Sequence, residues 1–211
     1  MVLFIFFIGA YIVGSIPFSY ITAKLFKGID IREHGSGNPG ATNVFRVLGP
    51  IPGITAFTFD ILKGFLPVLF AVQYFGTENL KFSILVGLAA IVGHVYTVFL
   101  KFKGGKGVAT ATGVFLALLP INTLIGIAIF TIMFAITKYV STSSIIAGIS
   151  FAILSWVTKQ DPIISVFATL VAVLIIYTHR SNIKRLISGK ENKIVEKKST
   201  TGKNYPKGQN K

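Results

Sequence analysis

Three short polar stretches hold the residue types from which an anion-handling site can be built. The first runs Gly35-Ser36-Gly37-Asn38-Pro39-Gly40-Ala41-Thr42-Asn43-Val44-Phe45-Arg46. Its glycines permit positive φ and a close approach of backbone to ligand. Ser36, Asn38, Thr42 and Asn43 add hydrogen-bonding groups, and Arg46 adds a forked cation matched to phosphate. An ordinary interhelical loop uses similar turn residues, but it has no need of so many distinct donors. The second stretch is Lys103-Gly104-Gly105-Lys106-Gly107, which leads straight into an apolar run from Val108. A glycine-rich turn that opens a helix presents free N–H groups and the positive end of the helix dipole to an anion. It is not a Walker A loop: Leu100 stands in place of the first glycine, and Gly107 in place of the Ser or Thr that holds magnesium. Nucleotide hydrolysis is therefore disfavoured. A plain basic turn that only fixes membrane orientation fits this stretch equally well. The third stretch is His179-Arg180-Ser181-Asn182, with His179 and Asn182 on one face of a helix; taken alone it reads as a basic cap on a membrane span.

The elements that must carry these stretches are membrane helices. The chain has 211 residues, a net charge of +14 and only 13% charged residues, where a soluble domain carries about a quarter. Mean hydropathy is +0.71. No charged side chain occurs from Gly107 to Thr137, while His179 to Lys211 holds ten Lys or Arg against Glu191 and Glu196. Apolar blocks separated by short charged stretches are the pattern of a polytopic membrane protein. The spans predicted from length are Val2–Ala23, with a kink at Pro17, then Ile51–Phe75, Phe82–Leu100, Ile145–Val157 and Ile163–Tyr177. The apolar run at the N-terminus has no basic flank or cleavage site and reads as the first span.

Val108 to Thr137 is too long for one span and is interrupted at Pro120-Ile121-Asn122. As a hairpin, it puts the Lys24–Gly49 loop, the Lys101–Gly107 loop, Lys138 and the basic C-terminal stretch on one side. The other side is left with Glu78, Lys81, Lys159 and Asp161. The positive-inside rule selects this arrangement. The prediction is an all-α integral membrane protein of seven helices, N-terminus outside and C-terminus cytoplasmic. One helix, Val108–Leu119, spans only ~18 Å and is expected to be tilted or half-embedded. Residues 1–190 form the membrane domain, and residues 191–211 read as a disordered basic tail.

All three polar stretches then fall on the cytoplasmic face, and so does Ser141. That convergence suggests a site for two anionic groups at the lipid boundary. Asp60 and Lys63 lie three apart within a span and are expected to pair; His94 reads as a satisfied buried histidine. With no cysteine in the chain, thiol catalysis and thiolate metal sites are excluded. The basic charge next to so much apolar sequence points to orientation and anionic lipid rather than to nucleic acid. A transporter of a phosphorylated solute is the rival from another class. Transporters place their sites near the bilayer midplane, often between internal repeats, and this chain has no evident repeat.

The residues resemble the bacterial acyl-phosphate-dependent glycerol-3-phosphate acyltransferases, the PlsY family. Gly35 to Arg46 matches that family's G-S-G-N-x-G-A-T-N-V-x-R. Phe102 to Ala109 matches F-K-G-G-K-G-V-A, and Tyr177 to Glu191 resembles Y-x-H-R-x-N-I-x-R-L-x-x-G-x-E. Thr97 and Thr178 depart from the pattern. The resemblance implies transfer of an acyl group from acyl phosphate to glycerol 3-phosphate, the first acylation of phospholipid synthesis, in the bacterial plasma membrane. It also implies that Ser36, Gly37, Asn38, Gly40, Thr42 and Asn43 cradle the acyl phosphate. Arg46, Lys106, Ser141, His179 and Asn182 would hold glycerol 3-phosphate, with the Gly104 and Gly105 amides assisting Lys106. The chemistry of the residues is compatible. No Ser-His-Asp set is visible, and neither His94 nor His179 has an Asp five positions on. A substrate phosphate oxygen or His179 is left as the proton acceptor. Lys and Arg predominate near the loops over carboxylates, so no metal and no cofactor is expected.

Overall fold

The computed structural model describes residues 1–193. The basic stretch from residue 194 onward, most of the expected tail, lies outside the described residues. Among the described residues every regular element is a helix. They are α1 (Val2–Ser15), α2 (Phe18–Lys27), α3 (Ala41–Leu48), α4 (Pro50–Phe75), α5 (Leu80–Val95), α6 (Val108–Leu118), α7 (Pro120–Thr137), α8 (Val140–Val157), α9 (Pro162–Thr178) and α10 (Arg180–Ile187), joined in places by single 3-10 turns.

Large apolar side chains lie on the outside of the bundle as well as in its core. Phe4, Ile51, Phe70, Ile121, Leu124 and Leu170 are more than half exposed, whereas Ser15, Ser83, Ser143, Ser155 and Ser165 are sealed inside. Small and polar residues between helices with an apolar exterior are the packing mode of a protein dissolved in lipid. Five helical stretches are long and apolar enough to cross a bilayer: 2–27, 50–75, 77–100, 120–137 and 140–157. A sixth is reached if α9 and α10, bent by 56° to one another, are taken as one broken span; α6 is apolar but shorter.

The local breaks follow from sequence. The chain leaves helical geometry at Ile16 and Pro17, as the ring of Pro17 requires. Leu119, before Pro120, likewise separates α6 from α7, so the predicted interruption of 108–137 is present. Two expectations change. The Lys24–Gly49 segment is not a plain loop: it contains α3, whose apolar face, with Val44 and Val47, packs on Ala23, Ile31 and Ala56. And α8 begins at Val140, five residues before the predicted Ile145. The hydroxyls in that extra turn stay compatible with a helix because Ser143 donates back to the Tyr139 carbonyl at 2.9 Å.

One crossing matters most for the site. Helices α4 and α6 touch backbone to backbone: a methyl on Gly113 would fall 2.0 Å from the Ile61 carbonyl oxygen, and one on Gly64 2.2 Å from that of Thr110. Such close approach needs glycine. It fixes α6 against the long α4, so the N-terminus of α6 is held at a defined height.

Candidate active site

The site is assembled from the ends of helices. Asn43, buried at 1% exposure on α3, folds the first polar stretch. Its side-chain oxygen accepts the Ser36 amide at 2.9 Å, and its nitrogen donates to the carbonyls of His34 at 2.9 Å and Ile31 at 3.1 Å. Gly35 and Gly37 take φ of 61° and 71° to complete the turn. Asn43 is thus spent on shaping the loop. Ser36, Asn38, Gly40, Thr42 and Asn43 itself line the cavity beside the loop, whereas Gly37 does not. Gly40 is the N-cap of α3 and Gly107 that of α6, so no side chain caps either helix. Both N-terminal turns line this cavity, so two sets of unpaired amides and two positive dipole ends converge on it.

The second stretch behaves differently from its sequence reading. The Gly104 amide donates to the Val95 carbonyl at 3.0 Å and the Gly105 amide to that of His94 at 3.1 Å. These two amides are therefore committed to the end of α5 and do not face an anion. The amides that line the cavity belong to the first turn of α6, which Gly107 opens with φ of 85°. Lys106 does point inward. Its ammonium donates to the Asn182 side-chain oxygen at 2.5 Å, and its carbonyl accepts from Thr178, one of the departures from the family pattern, at 3.1 Å. Burial pulls the Lys106 ammonium down to about 8, with Glu191 opposing the shift and Arg185 and Arg46 reinforcing it.

The third stretch closes the site. His179 is 2% exposed, and its Nδ1 lies 2.8 Å from the Ile175 carbonyl. A carbonyl only accepts, so Nδ1 carries the hydrogen and Nε2 keeps its lone pair when the ring is neutral. Burial and then the charge of Lys106 push His179 down to about 4, which keeps the ring neutral around pH 7. The bend between α9 and α10 falls at His179 and turns Asn182 back toward Lys106. Arg46 lines the same cavity, and its Nε is buried without a hydrogen-bond partner among the described residues.

Glu191, which closes the third motif but is given no role there and is placed at the start of the tail, belongs to the site. Its Oε1 accepts from Asn182 at 2.6 Å and from Ser141 at 2.9 Å, and its Oε2 pairs with Arg185 at 2.7 Å. Burial raises this carboxyl, but the hydrogen bonds from Asn182, Arg185 and Ser141 outweigh burial, and it titrates below its ordinary value. One carboxylate thus joins α8 and α10 and partly offsets Arg46, Lys106 and Arg185. The feature that sequence reasoning missed is the far end of the cavity. The space, about 540 Å³, continues from these cations between Phe57, Ile61, Phe115, Phe130, Phe134 and Phe151. That volume falls in the range of small-molecule sites, roughly 300–1,000 Å³. A cationic mouth with an apolar interior fits an amphiphile whose anionic head stays at the helix ends.

A multi-pass membrane protein, helical throughout its described residues, whose cavity joins cationic helix ends to an apolar interior, is therefore the class that fold and site define. Residues 4–189 match the family described as Glycerol-3-phosphate acyltransferase. A glycerol-3-phosphate acyltransferase of Endomicrobium trichonymphae is 50% identical over 190 residues, covering 90% of this chain and 94% of that protein. The crystal structure of PlsY, an integral membrane glycerol 3-phosphate acyltransferase, in its glycerol 3-phosphate form superposes with a TM-score of 0.88 at 44% identity, covering 92% of this chain and 96% of that one. The lysophosphatidic acid form gives a TM-score of 0.86 over 92% and 95% of the two chains. The chain belongs to the glycerol-3-phosphate acyltransferase family, an integral membrane family of acyltransferases.

Proposed function

We propose that this chain transfers an acyl group from acyl phosphate to glycerol 3-phosphate, giving lysophosphatidic acid and inorganic phosphate. The observation that carries this reading is the single cavity with cations and helix N-termini at one end and phenylalanines at the other. Arg46, Lys106, Ser141, His179 and Asn182 hold glycerol 3-phosphate. Ser36, Asn38, Gly40 and Thr42 cradle the acyl phosphate, with Gly37 and Asn43 shaping that loop. A glycerol hydroxyl attacks the acyl carbon, the bond from that carbon to the phosphate oxygen breaks, and phosphate departs. The hydroxyl proton passes to a substrate phosphate oxygen or to Nε2 of His179. Arg46, Lys106 and the amides of α3 and α6 stabilise the charge that builds on the acyl and phosphate oxygens. An acyl phosphate is a mixed anhydride with a good leaving group, so no enzyme nucleophile is called for. Purified protein should accept palmitoyl phosphate in EDTA and reject acyl-CoA; turnover that returns only on adding magnesium would contradict this mechanism.

The pH profile follows from the site. Lys106 binds phosphate in its protonated form, and its pKa in the empty site is about 8. The kcat/KM for glycerol 3-phosphate reports the free enzyme. It should hold level above the phosphate monoester's own ionisation near pH ~6 and fall as pH rises through about 8. His179, at about 4 rather than 6.5, adds no limb between these values. Lys106→Arg, whose charge is permanent, should remove the basic limb.

The seven segments, α6 included, cross or enter a bacterial plasma membrane with the site facing the cytoplasm. Supporting this, α4 is 26 residues long, or ~39 Å, and separates the loop that holds Ser36 from the turn at Glu78. Single cysteines can be introduced freely into this cysteine-free chain. An impermeant thiol reagent should label Glu78→Cys and Gln160→Cys in intact cells, and Ser36→Cys and Ser181→Cys only after lysis. Labelling at position 181 in intact cells would overturn the hairpin at Pro120.

A further inference from the structure

Beneath the glycine-rich turn, within the apolar layer, lies a group of ionisable side chains that the reaction above does not use. The Asp60 Oδ1 is 2.7 Å from the Lys63 ammonium and 3.6 Å from Nδ1 of His94. Its Oδ2 accepts from Ser19 at 3.2 Å, and Lys63 also donates to the Ile16 carbonyl at 2.8 Å, at the break between α1 and α2. Asp60 is 1%, Lys63 4% and His94 6% exposed. Such groups are expensive inside a membrane and are kept where they serve a purpose. Mutual neutralisation explains why the pair is tolerated; it does not explain where the group is aimed.

Asp60 and His94 border the substrate cavity, and His94 also packs against the turn that carries Lys106. The His94 imidazole stands against Gly105: a methyl there would come 2.3 Å from Nε2. The His94 carbonyl accepts the Gly105 amide, and a methyl on Gly104 would fall 2.0 Å from that same carbonyl oxygen. On the other flank, Thr110 in the first turn of α6 donates to the Asp60 carbonyl at 3.0 Å. The two flanks of Lys106 are thus held by His94, which packs on Gly105, and by the main-chain carbonyl of residue 60, which Thr110 reaches whatever side chain stands there. The glycines leave the turn no slack to drift from the end of α5.

We propose that His94 is a positioning residue that sets the height of the 103–107 turn, and so places the Lys106 ammonium against Asn182 where the substrate phosphate binds. The inference rests on the reading that Lys106 binds glycerol 3-phosphate. A group serving only to neutralise charge in the membrane would govern the amount and melting temperature of folded protein, and leave the KM of the folded fraction unchanged. A positioning group changes KM for one substrate.

The test compares His94→Ala, His94→Gln and Gly105→Ala with Lys106→Ala, each purified in detergent, with KM for glycerol 3-phosphate and for palmitoyl phosphate measured beside the melting temperature. A displaced turn should raise the glycerol 3-phosphate KM of His94→Ala and of Gly105→Ala by about ten- to a hundredfold. Palmitoyl phosphate KM should change little, and His94→Gln, which refills the space beside Gly105, should recover part of the loss. If His94→Ala does not fold, Gly105→Ala and His94→Gln still decide the matter. A lowered melting temperature with an unchanged glycerol 3-phosphate KM in the variants that fold overturns the proposal. If Lys106→Ala also leaves that KM unchanged, the binding reading itself falls; if only the Lys106 variant shows the split, the positioning role alone falls.

Discussion

Lys106→Ala should raise the KM for glycerol 3-phosphate about ten- to a hundredfold, since losing one charge-assisted contact costs roughly 1.5–3 kcal/mol. The KM for acyl phosphate should stay near its starting value. The asymmetry is the substance of this prediction. Lys106 faces Asn182 and stands beside His179, and it makes no hydrogen bond to the loop that holds Ser36 and Asn38. The acyl phosphate keeps Ser36, Asn38 and the uncapped first turn of α3. Steady-state kinetics with each substrate varied in turn would check it, and equal effects on the two KM values would make the turn a structural element only.

Glu191→Ala should also be damaging, although Glu191 touches no substrate in this account. The pair with Arg185 is only part-buried, so its cost sits at or below the lower end of the range, about 2–5 kcal/mol, for truncating a buried, hydrogen-bonded charge pair. The loss of the Asn182 and Ser141 bonds adds to it, for a fall of about tenfold or more in kcat/KM. Three groups lose their acceptor at once: Asn182, Ser141 and Arg185. Asn182 is then free to turn its amide away from the orientation that offers an oxygen to Lys106. Arg46, Lys106 and Arg185 are left with less negative charge to hold them together before substrate arrives. Glu191→Gln keeps an acceptor oxygen for Ser141 and Asn182 and should fall between wild type and alanine. Measuring kcat/KM alongside the melting temperature checks this. Unaltered kinetics in a folded Glu191→Ala protein would show that the carboxylate does not organise the site.

Much of the architecture could be read from the order of residues, because lipid imposes a simple rule on it. Apolar runs of spanning length, prolines at 17 and 120 and the segregation of Lys and Arg each have a direct physical consequence, and the helices break where the prolines predict. The polar stretches were legible as a set, since Gly, Ser, Asn and Arg crowded beside apolar helices have few other uses. What was not legible is where individual groups point. The glycines at 104 and 105 announce a tight backbone approach, but composition does not say whether an amide turns outward to a ligand or inward to His94 and Val95. Asn43 has the chemistry of a ligand donor and is consumed by three backbone partners. Glu191 closes the third motif, but its role was hidden by its neighbours, for a carboxylate at the edge of a Lys-rich stretch reads as solvated charge. The apolar end of the cavity was hidden for a different reason. Phe115 and Phe151 are the same residue types that fill any membrane core, and only the packing leaves space between them. Helix α3 and the early start of α8 were missed because short interfacial helices and serine-rich turns lack the apolar length that marks a span.

The most direct test of the central claim is phosphate release from palmitoyl phosphate by the purified protein, followed with and without glycerol 3-phosphate. Direct transfer within one cavity predicts that phosphate appears only when glycerol 3-phosphate is present, in equal amount to lysophosphatidic acid and with no burst beforehand. A stoichiometric burst of phosphate before the acceptor is added, with acyl label retained on the protein, would mean a covalent acyl-enzyme and would contradict the account.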